Sequence, residues 1–335
     1  MKIFSSIFLL TCSIFLFSCT SAPRQSAGQL YCLEAIHLGG MDQWILIQGN
    51  SPENPVLLWL HGGPGSAQMP VSHHYDRELL DHFTIVHWDQ RGAGKSNPRD
   101  FDESTLTFQQ FIRDAHDLTG MLKKRFKTEK IYLIGHSWGS QMGIVLAARY
   151  PEDYYAYIGM GQLVDPGRGQ VIAHKWLSGQ IEKSGKSKDR KRLDRLGDPP
   201  YPDHDDYVDF IHLVDACGGG FDISFAKMIK IAFKSPEYKT RDYLAWLRGA
   251  NRGSGPMWEA SQKFRASEAA PEIDIPVYFF NGKNDYNTPL ELVREYYTEL
   301  KAPKGKHLVV FENSAHTPCF GEPEEFNRWM IQVEK

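Results

Sequence analysis

A serine stands between two glycines in Gly135-His136-Ser137-Trp138-Gly139, directly after the apolar run Ile131–Ile134. A hydroxyl attacks a carbonyl well only when a base removes its proton, and the base needs an acid to hold its ring. A G-x-S-x-G turn between strand and helix suits such a nucleophile. Its glycines let the backbone bend sharply, the turn pushes the serine oxygen out of the sheet, and the helix N-terminus favours negative charge nearby. The partners are expected downstream, acid before histidine, each just beyond a late strand. Asp285 follows "VYFFNGKN" and His316 follows "HLVVFENSA", which satisfies both conditions. The competing His307 begins a strand, and the competing Asp274 precedes one. The bland alternative makes Asp285 a helix cap and His316 an incidental loop residue. It does not explain why all three positions fall in the expected order.

Charge developing on the attacked carbonyl oxygen needs fixed backbone donors. The Trp138 N–H, next after the serine, is one. The second is expected in "LHGGPG" (60–65), which follows "VLLW"; its glycines allow close approach, and Gly63 is the candidate. A plain glycine-proline turn would read the same in isolation.

These residues need a frame. Short unbroken apolar runs occur at "VLLWL" (56–60), "FTIVHW" (83–88), "IYLIG" (131–135), "YYAYIGM" (154–160), "VYFFNG" (277–282) and "HLVVFEN" (307–313), with "QWILIQG" as an early strand. Such runs suit strands covered on both faces, and helical segments at 108–126, 140–150 and 290–300 alternate with them. The expected fold is α/β: a mostly parallel central sheet flanked by helices. Residues 165–270 lack strand runs and carry the basic stretch "EKSGKSKDRKRLDR". A mainly helical insertion, or cap, is expected there, between core parts 30–164 and 271–335; the basic stretch is read as a solvated face.

Five motifs, "HGGPG", "DQRGAGKS" (89–96), "GHSWGS" (135–140), "GKND" (282–285) and "NSAHTP" (313–318), follow the order found in the α/β-hydrolase superfamily. The first three resemble the prolyl aminopeptidase (proline iminopeptidase, peptidase family S33) branch, over about residues 40–160 and 272–333. The resemblance implies Ser137, Asp285 and His316 as a catalytic triad, Gly63 and Trp138 as oxyanion donors, and a cap that shapes the pocket. His136 departs from the branch, which usually has glycine there, and GHS is common among esterases. The branch's cap supplies glutamates for the substrate's amino terminus. Here Glu259 is the weak candidate, lying late in the cap, so the substrate-binding residues stay unassigned.

The expected function is a serine hydrolase working through an acyl-enzyme, first an aminopeptidase releasing small N-terminal residues such as proline. A carboxylesterase or other small-molecule acyl hydrolase is the alternative, and a non-catalytic ligand binder the alternative from another class. Epoxide hydrolase or dehalogenase chemistry would need a carboxylate where Ser137 stands. The substrate is expected to be a small molecule or short peptide. With 38 basic and 41 acidic residues there is no nucleic-acid footprint, and no cofactor or metal site is expected.

Residues 1–18 have one lysine, an apolar stretch and then Ser18-Cys19, which reads as a signal peptide ending in a lipobox-like cysteine. An exported bacterial lipoprotein is expected, lipidated at Cys19, membrane-anchored at the cell envelope and tethered by residues 20–29. A secreted or periplasmic protein is the alternative. Removing residues 1–18 takes one lysine, moving the balance from −3 to −4. Cys32, Cys217 and Cys319 are too widely spaced for a disulfide framework.

Overall fold

A computed structural model describes residues 28–253 and 255–334. The leader and Cys19 lie outside the described residues. The elements run β1 (Leu30–Leu38), β2 (Met41–Gly49), β3 (Val56–Leu60), α1 (Met69–Ser72), β4 (Thr84–Asp89), α2 (Phe108–Phe126), β5 (Ile131–His136), α3 (Trp138–Arg149) and β6 (Tyr154–Met160). Seven helices follow: α4 (Pro166–Ser184), α5 (Ser187–Leu196), α6 (His204–Ala216), α7 (Phe225–Ala232), α8 (Thr240–Arg252), α9 (Trp258–Gln262) and α10 (Ala266–Ala269). The chain closes with β7 (Val277–Gly282), α11 (Leu290–Glu299), β8 (Lys306–Phe311), α12 (Pro318–Gly321) and α13 (Pro323–Glu334).

The eight strands form one sheet in the order β1-β2-β4-β3-β5-β6-β7-β8. β1 and β2 pair antiparallel, β2 meets β4 antiparallel, and every later pairing is parallel. The apolar runs become β3, β4 and β5, buried along their whole length. One core packs Leu58, Val86 and Leu133 against Phe111 and Leu118 of α2, Met142 of α3 and Val293 of α11. On the other face Leu57, Trp59, Ile85 and Ile134 meet Phe326 and Met330 of α13. Alternate residues of each strand serve opposite faces, which explains runs without polar interruption. β1 was not expected; its polar positions Glu34 and His37 break the apolar run.

Between β6 and β7 the described residues form helices and no strand. A separate cluster of Leu177, Ile181, Leu193, Tyr201, Phe210 and Leu213 gives α4, α5 and α6 their own core. α4 begins with Asp165, whose carboxylate accepts the Arg168 N–H at 3.0 Å, and Pro166; it ends on Gly185 at φ 65°. The basic stretch is the exposed side of α4 and α5, where Arg190 pairs with Glu182 and Arg192 and Arg195 pair with Asp209. Cys32, Cys217 and Cys319 form no disulfide with one another.

Candidate active site

The three candidate triad residues sit beyond the C-terminal ends of parallel strands, where an open α/β sheet places its site. Ser137 joins β5 to α3 at φ 53°, ψ −117°, and among the described residues only Lys127 shares its positive φ without being glycine. Such a backbone costs on the order of 1–3 kcal/mol, so the surroundings must impose it. They do so through the flanking glycines: a Cβ at Gly135 would lie 2.4 Å from the Gly139 carbonyl oxygen, and one at Gly139 would lie 2.1 Å from that of Leu60. The Ser137 N–H is meanwhile held by the Met160 carbonyl at 3.0 Å.

His316 and Asp285 are both buried, with His316 Nδ1 2.8 Å from Asp285 Oδ2. Three further donors fix the carboxylate: Asn287 N–H and Thr288 N–H to Oδ1 at 2.9 and 2.8 Å, and Thr288 Oγ1 to Oδ2 at 2.7 Å. Burial pushes the imidazole down, but the Asp285 charge and hydrogen bond, joined by Asp215 and Asp222, leave it above its ordinary value. Gly161 at φ 55° lets the ring in, since a Cβ there would lie 2.9 Å from His316 Cε1.

The loop expected to supply the second oxyanion donor borders the serine: a Cβ at Gly62 would lie 3.2 Å from Ser137 Cβ. Gly63 follows at φ 116°, open only to glycine, because a Cβ would meet the Gly65 and Ser66 nitrogens at 2.7 Å. His61 braces this loop. Its Nδ1–H donates to the Gly62 carbonyl at 2.8 Å, its Nε2 accepts the Gln90 N–H at 3.1 Å, and burial lowers its pKa to about 4. Trp138, at the first turn of α3, has a buried ring edge-on to Phe108 and Phe111.

"DQRGAGKS" proves to be a fastening rather than a reacting motif. Gln90 holds His61, Arg91 makes a bidentate pair with Asp114 of α2, and Lys95 Nζ reaches Asp242 of α8 at 2.8 Å. Asp89 accepts the Lys95 N–H at 2.8 Å and the Tyr238 hydroxyl, tying β4 to the cap.

Two other contributors carry no cue of their role in the sequence. His136, noted only as a departure from the related branch, is buried and neutral, its pKa driven down by burial and then by the charge of His316. Its Nε2–H donates to the His316 carbonyl at 3.1 Å and its Nδ1 accepts from Gln68 Nε2 at 3.1 Å. Gln68 Oε1 in turn accepts the Trp59 indole N–H at 2.9 Å. The second contributor is the "GGGFD" segment after α6. The Gly220 carbonyl accepts the His316 N–H at 2.8 Å, and the Asp222 carboxylate accepts the N–H groups of Ala315 and Thr317.

Glu259 is not brought to the site. Its side chain is exposed on α9 and pairs with Lys263 one turn on at 2.7 Å, so the weak substrate-binding candidate is a surface residue. The neighbouring Trp258 turns inward, donating to the Tyr201 and Pro202 carbonyls. A small pocket, open to solvent, lies on the Asp285 side of the site between the β6–α4 loop, α4, α6 and Thr288. Among the described residues no group of histidines, cysteines and carboxylates is arranged to hold a metal.

Comparison with known proteins agrees with this geometry. A family profile described as alpha/beta hydrolase fold matches residues 55–178. The chain is 34% identical over 298 residues to a protein of Bacillus subtilis (strain 168) named "Probable aminopeptidase YbaC", covering 88% of this chain and 93% of the relative. The chain therefore belongs to the α/β-hydrolase family. It is also similar to a "Proline iminopeptidase" of Saccharolobus solfataricus, at 27% identity over 82% of each chain. The crystal structure of a proline iminopeptidase from Mycobacterium smegmatis superposes with a TM-score of 0.65 at 20% identity, covering 90% of this chain and 97% of that one, which shows shared fold.

Proposed function

We propose that this hydrolase is a serine aminopeptidase that releases small N-terminal residues, proline among them, from short peptides. The observation that carries the reading is the buried His316–Asp285 pair at 2.8 Å, its imidazole 4.8 Å from the ring of His136, the residue before a serine in a strained elbow. Ser137 Oγ attacks the scissile carbonyl while His316 Nε2 takes its proton, and the Trp138 and Gly63 N–H groups stabilise the oxyanion. The tetrahedral intermediate collapses as the imidazolium protonates the leaving amine, leaving an acyl-enzyme. Water, activated by the same histidine, then releases the acid and restores the serine. Asp285 holds the tautomer and stabilises the imidazolium.

An aminopeptidase also needs a negative group for the substrate's ammonium. Of the cap carboxylates, Asp215 acts most strongly on His316. Asp222 spends both oxygens on Ala315 and Thr317, whereas Asp215 accepts the Phe221 N–H on Oδ1 alone, so Asp215 is the better anchor; burial raises its pKa, which an ammonium beside it would reverse. The relatives' names support the peptidase reading over the esterase one. A small-molecule acyl hydrolase is favoured instead by the apolar part of the pocket lining, Leu163, Val164, Phe210, Ile211 and Leu292. A fluorophosphonate probe should label the protein and not Ser137→Ala; equal labelling would refute the nucleophile. Proline chromogenic amides should be cleaved and their N-blocked forms spared, whereas equal turnover would leave the esterase reading.

The location proposed for this activity is the cell envelope, through acylation of Cys19. Labelling with a palmitate analogue should be lost in Cys19→Ala, and label retained in that variant would exclude it.

A further inference from the structure

Eight large apolar side chains are exposed among the described residues, and five of them, Phe221, Phe225, Phe233, Leu244 and Leu247, fall in or beside α7 and α8. Phe225, Phe233 and Leu244 are 63, 65 and 57% exposed, far more than scattered surface apolar residues require. The two helices share one surface: the Phe233 and Tyr243 rings lie 4.6 Å apart, and the Tyr243 hydroxyl donates to the Ala232 carbonyl at 2.6 Å.

The charges on this surface have one sign. From 225 to 252 the ionisable side chains are Lys227, Lys230, Lys234, Lys239, Arg241, Arg248 and Arg252 against Glu237 and Asp242. Both acids are buried and turned inward, Glu237 towards Tyr31 and Ser235 and Asp242 towards Lys95. All of the basic residues are exposed except the half-buried Arg248, and Arg252 also meets Glu103. A chain of net charge −3 thus presents a positive, aromatic face. On α7 the spacing interleaves the two kinds, Phe225 and Phe233 with Lys227, Lys230 and Lys234 between and beside them.

We propose that the α7–α8 face docks on an anionic lipid bilayer. Protruding phenylalanine and leucine side chains would enter the interface between headgroups and acyl chains, while the lysines and arginines meet lipid phosphates. A second copy of the chain fits poorly, since a twofold contact through this patch would set basic residues against basic residues. The patch borders the active site: the Phe221 ring stands edge-on to His316 at 5.9 Å, and α8 packs on the oxyanion loop, where a Cβ at Gly65 would lie 2.1 Å from the Gly249 carbonyl oxygen. Docking would therefore hold the catalytic mouth close to the membrane surface. This inference stands on exposure and charge and does not depend on Cys19.

The test is co-sedimentation of the full chain with vesicles of phosphatidylcholine, with and without phosphatidylglycerol. Three chains are compared, all carrying Cys19→Ala: the parent, Phe225→Ser/Phe233→Ser, and Lys227→Glu/Lys230→Glu/Lys234→Glu. The leader is the same in all three, so differences report the cap. Phosphatidylglycerol should raise binding of the parent severalfold, and added salt should reverse the gain. Both variants should lose affinity, the lysine variant by on the order of fivefold or more per lysine removed. Hydrolysis of a soluble ester should stay unchanged in both variants, showing that they fold. Equal binding by all three chains would overturn the proposal. So would indifference to phosphatidylglycerol, or a parent that self-associates in solution through residues the variants disrupt.

Discussion

The Asp222 carboxylate accepts the backbone N–H groups of Ala315 and Thr317 at 2.7 Å each, so a cap residue grips both neighbours of His316. With the Gly220 carbonyl on the His316 N–H itself, three consecutive amides of the histidine loop end on the cap. A cap that only shaped the pocket would affect substrate affinity alone. One that holds the base must also affect the chemical step. Asp222→Ala is expected to lower kcat on the order of 100-fold, as misplacement of a reacting group by about 1 Å does, with a smaller change in KM. Asp222→Asn keeps one acceptor oxygen and should fall between. Steady-state kinetics on a chromogenic substrate separates the two parameters, and an effect confined to KM would refute the positioning role.

Burial lowers the pKa of His316, but the charge and hydrogen bond of Asp285, with Asp215 and Asp222, together outweigh it and leave the pKa above 6.5. A general base must be neutral, so kcat/KM should climb with pH through a midpoint above 6.5. The sign is fixed by the partner. In Asp285→Asn the main opposition to burial is gone, only Asp215 and Asp222 remain against it, and the acid limb should move to lower pH. The same variant should lose on the order of 10³- to 10⁴-fold in kcat, because asparagine favours the wrong tautomer. A pH–rate profile of both proteins checks shift and loss together.

His136 donates to the His316 carbonyl and accepts from Gln68, linking the elbow to the base from beneath. Replacing it with the glycine usual in the related branch would leave a buried carbonyl and a buried amide donor unpaired. Each costs about 1–3 kcal/mol. His136→Gly is therefore expected to destabilise the fold by a few kcal/mol and to lower kcat. Denaturant midpoints alongside kcat distinguish these effects.

Most of the frame was legible because it is local. An apolar run buried on both faces announces a parallel strand within a few residues, and Gly135-His136-Ser137-Trp138-Gly139 carries its turn geometry in its own glycines. Asp285 and His316 were found by order and strand-end position, which are also short-range cues. The missed parts are contacts between distant residues. Asp222 lies more than ninety positions from the amides it holds, and His136 meets a carbonyl 180 residues away. No window of sequence contains both partners. β1 escaped for another reason: as an outer strand it buries Cys32, Glu34, Ile36 and Leu38 in alternation with exposed Ala35 and His37, and a carboxylate on the buried side leaves too sparse an apolar pattern to stand out. Glu259 shows the limit of a short motif: in the Trp-Glu pair the tryptophan faces in and the glutamate, only a weak candidate from its late place in the cap, faces out.

Asp89 joins the core to the cap at the cost of burying a carboxyl group, and burial raises its pKa from 3.8 to about 7 despite the Tyr238 hydroxyl and the Lys95 N–H. The consequence for stability follows from linkage. Between about pH 4 and 7 the unfolded chain has Asp89 ionised while the folded chain keeps it protonated, so the folded state binds the extra proton and stability falls as pH rises. Below pH 4 both states are neutral and nothing is lost; above pH 7 the full penalty of the buried charge applies, on the order of 4 kcal/mol for a shift of this size. Asp89→Asn removes the titration while leaving an oxygen for the Lys95 N–H or the Tyr238 hydroxyl. The variant should therefore be less stable than the parent near pH 5, where the neutral carboxyl is well accommodated, and should gain on it steadily towards pH 8. Unfolding midpoints in urea across that range give the comparison, and a difference independent of pH would mean that Asp89 is ionised in the folded protein throughout.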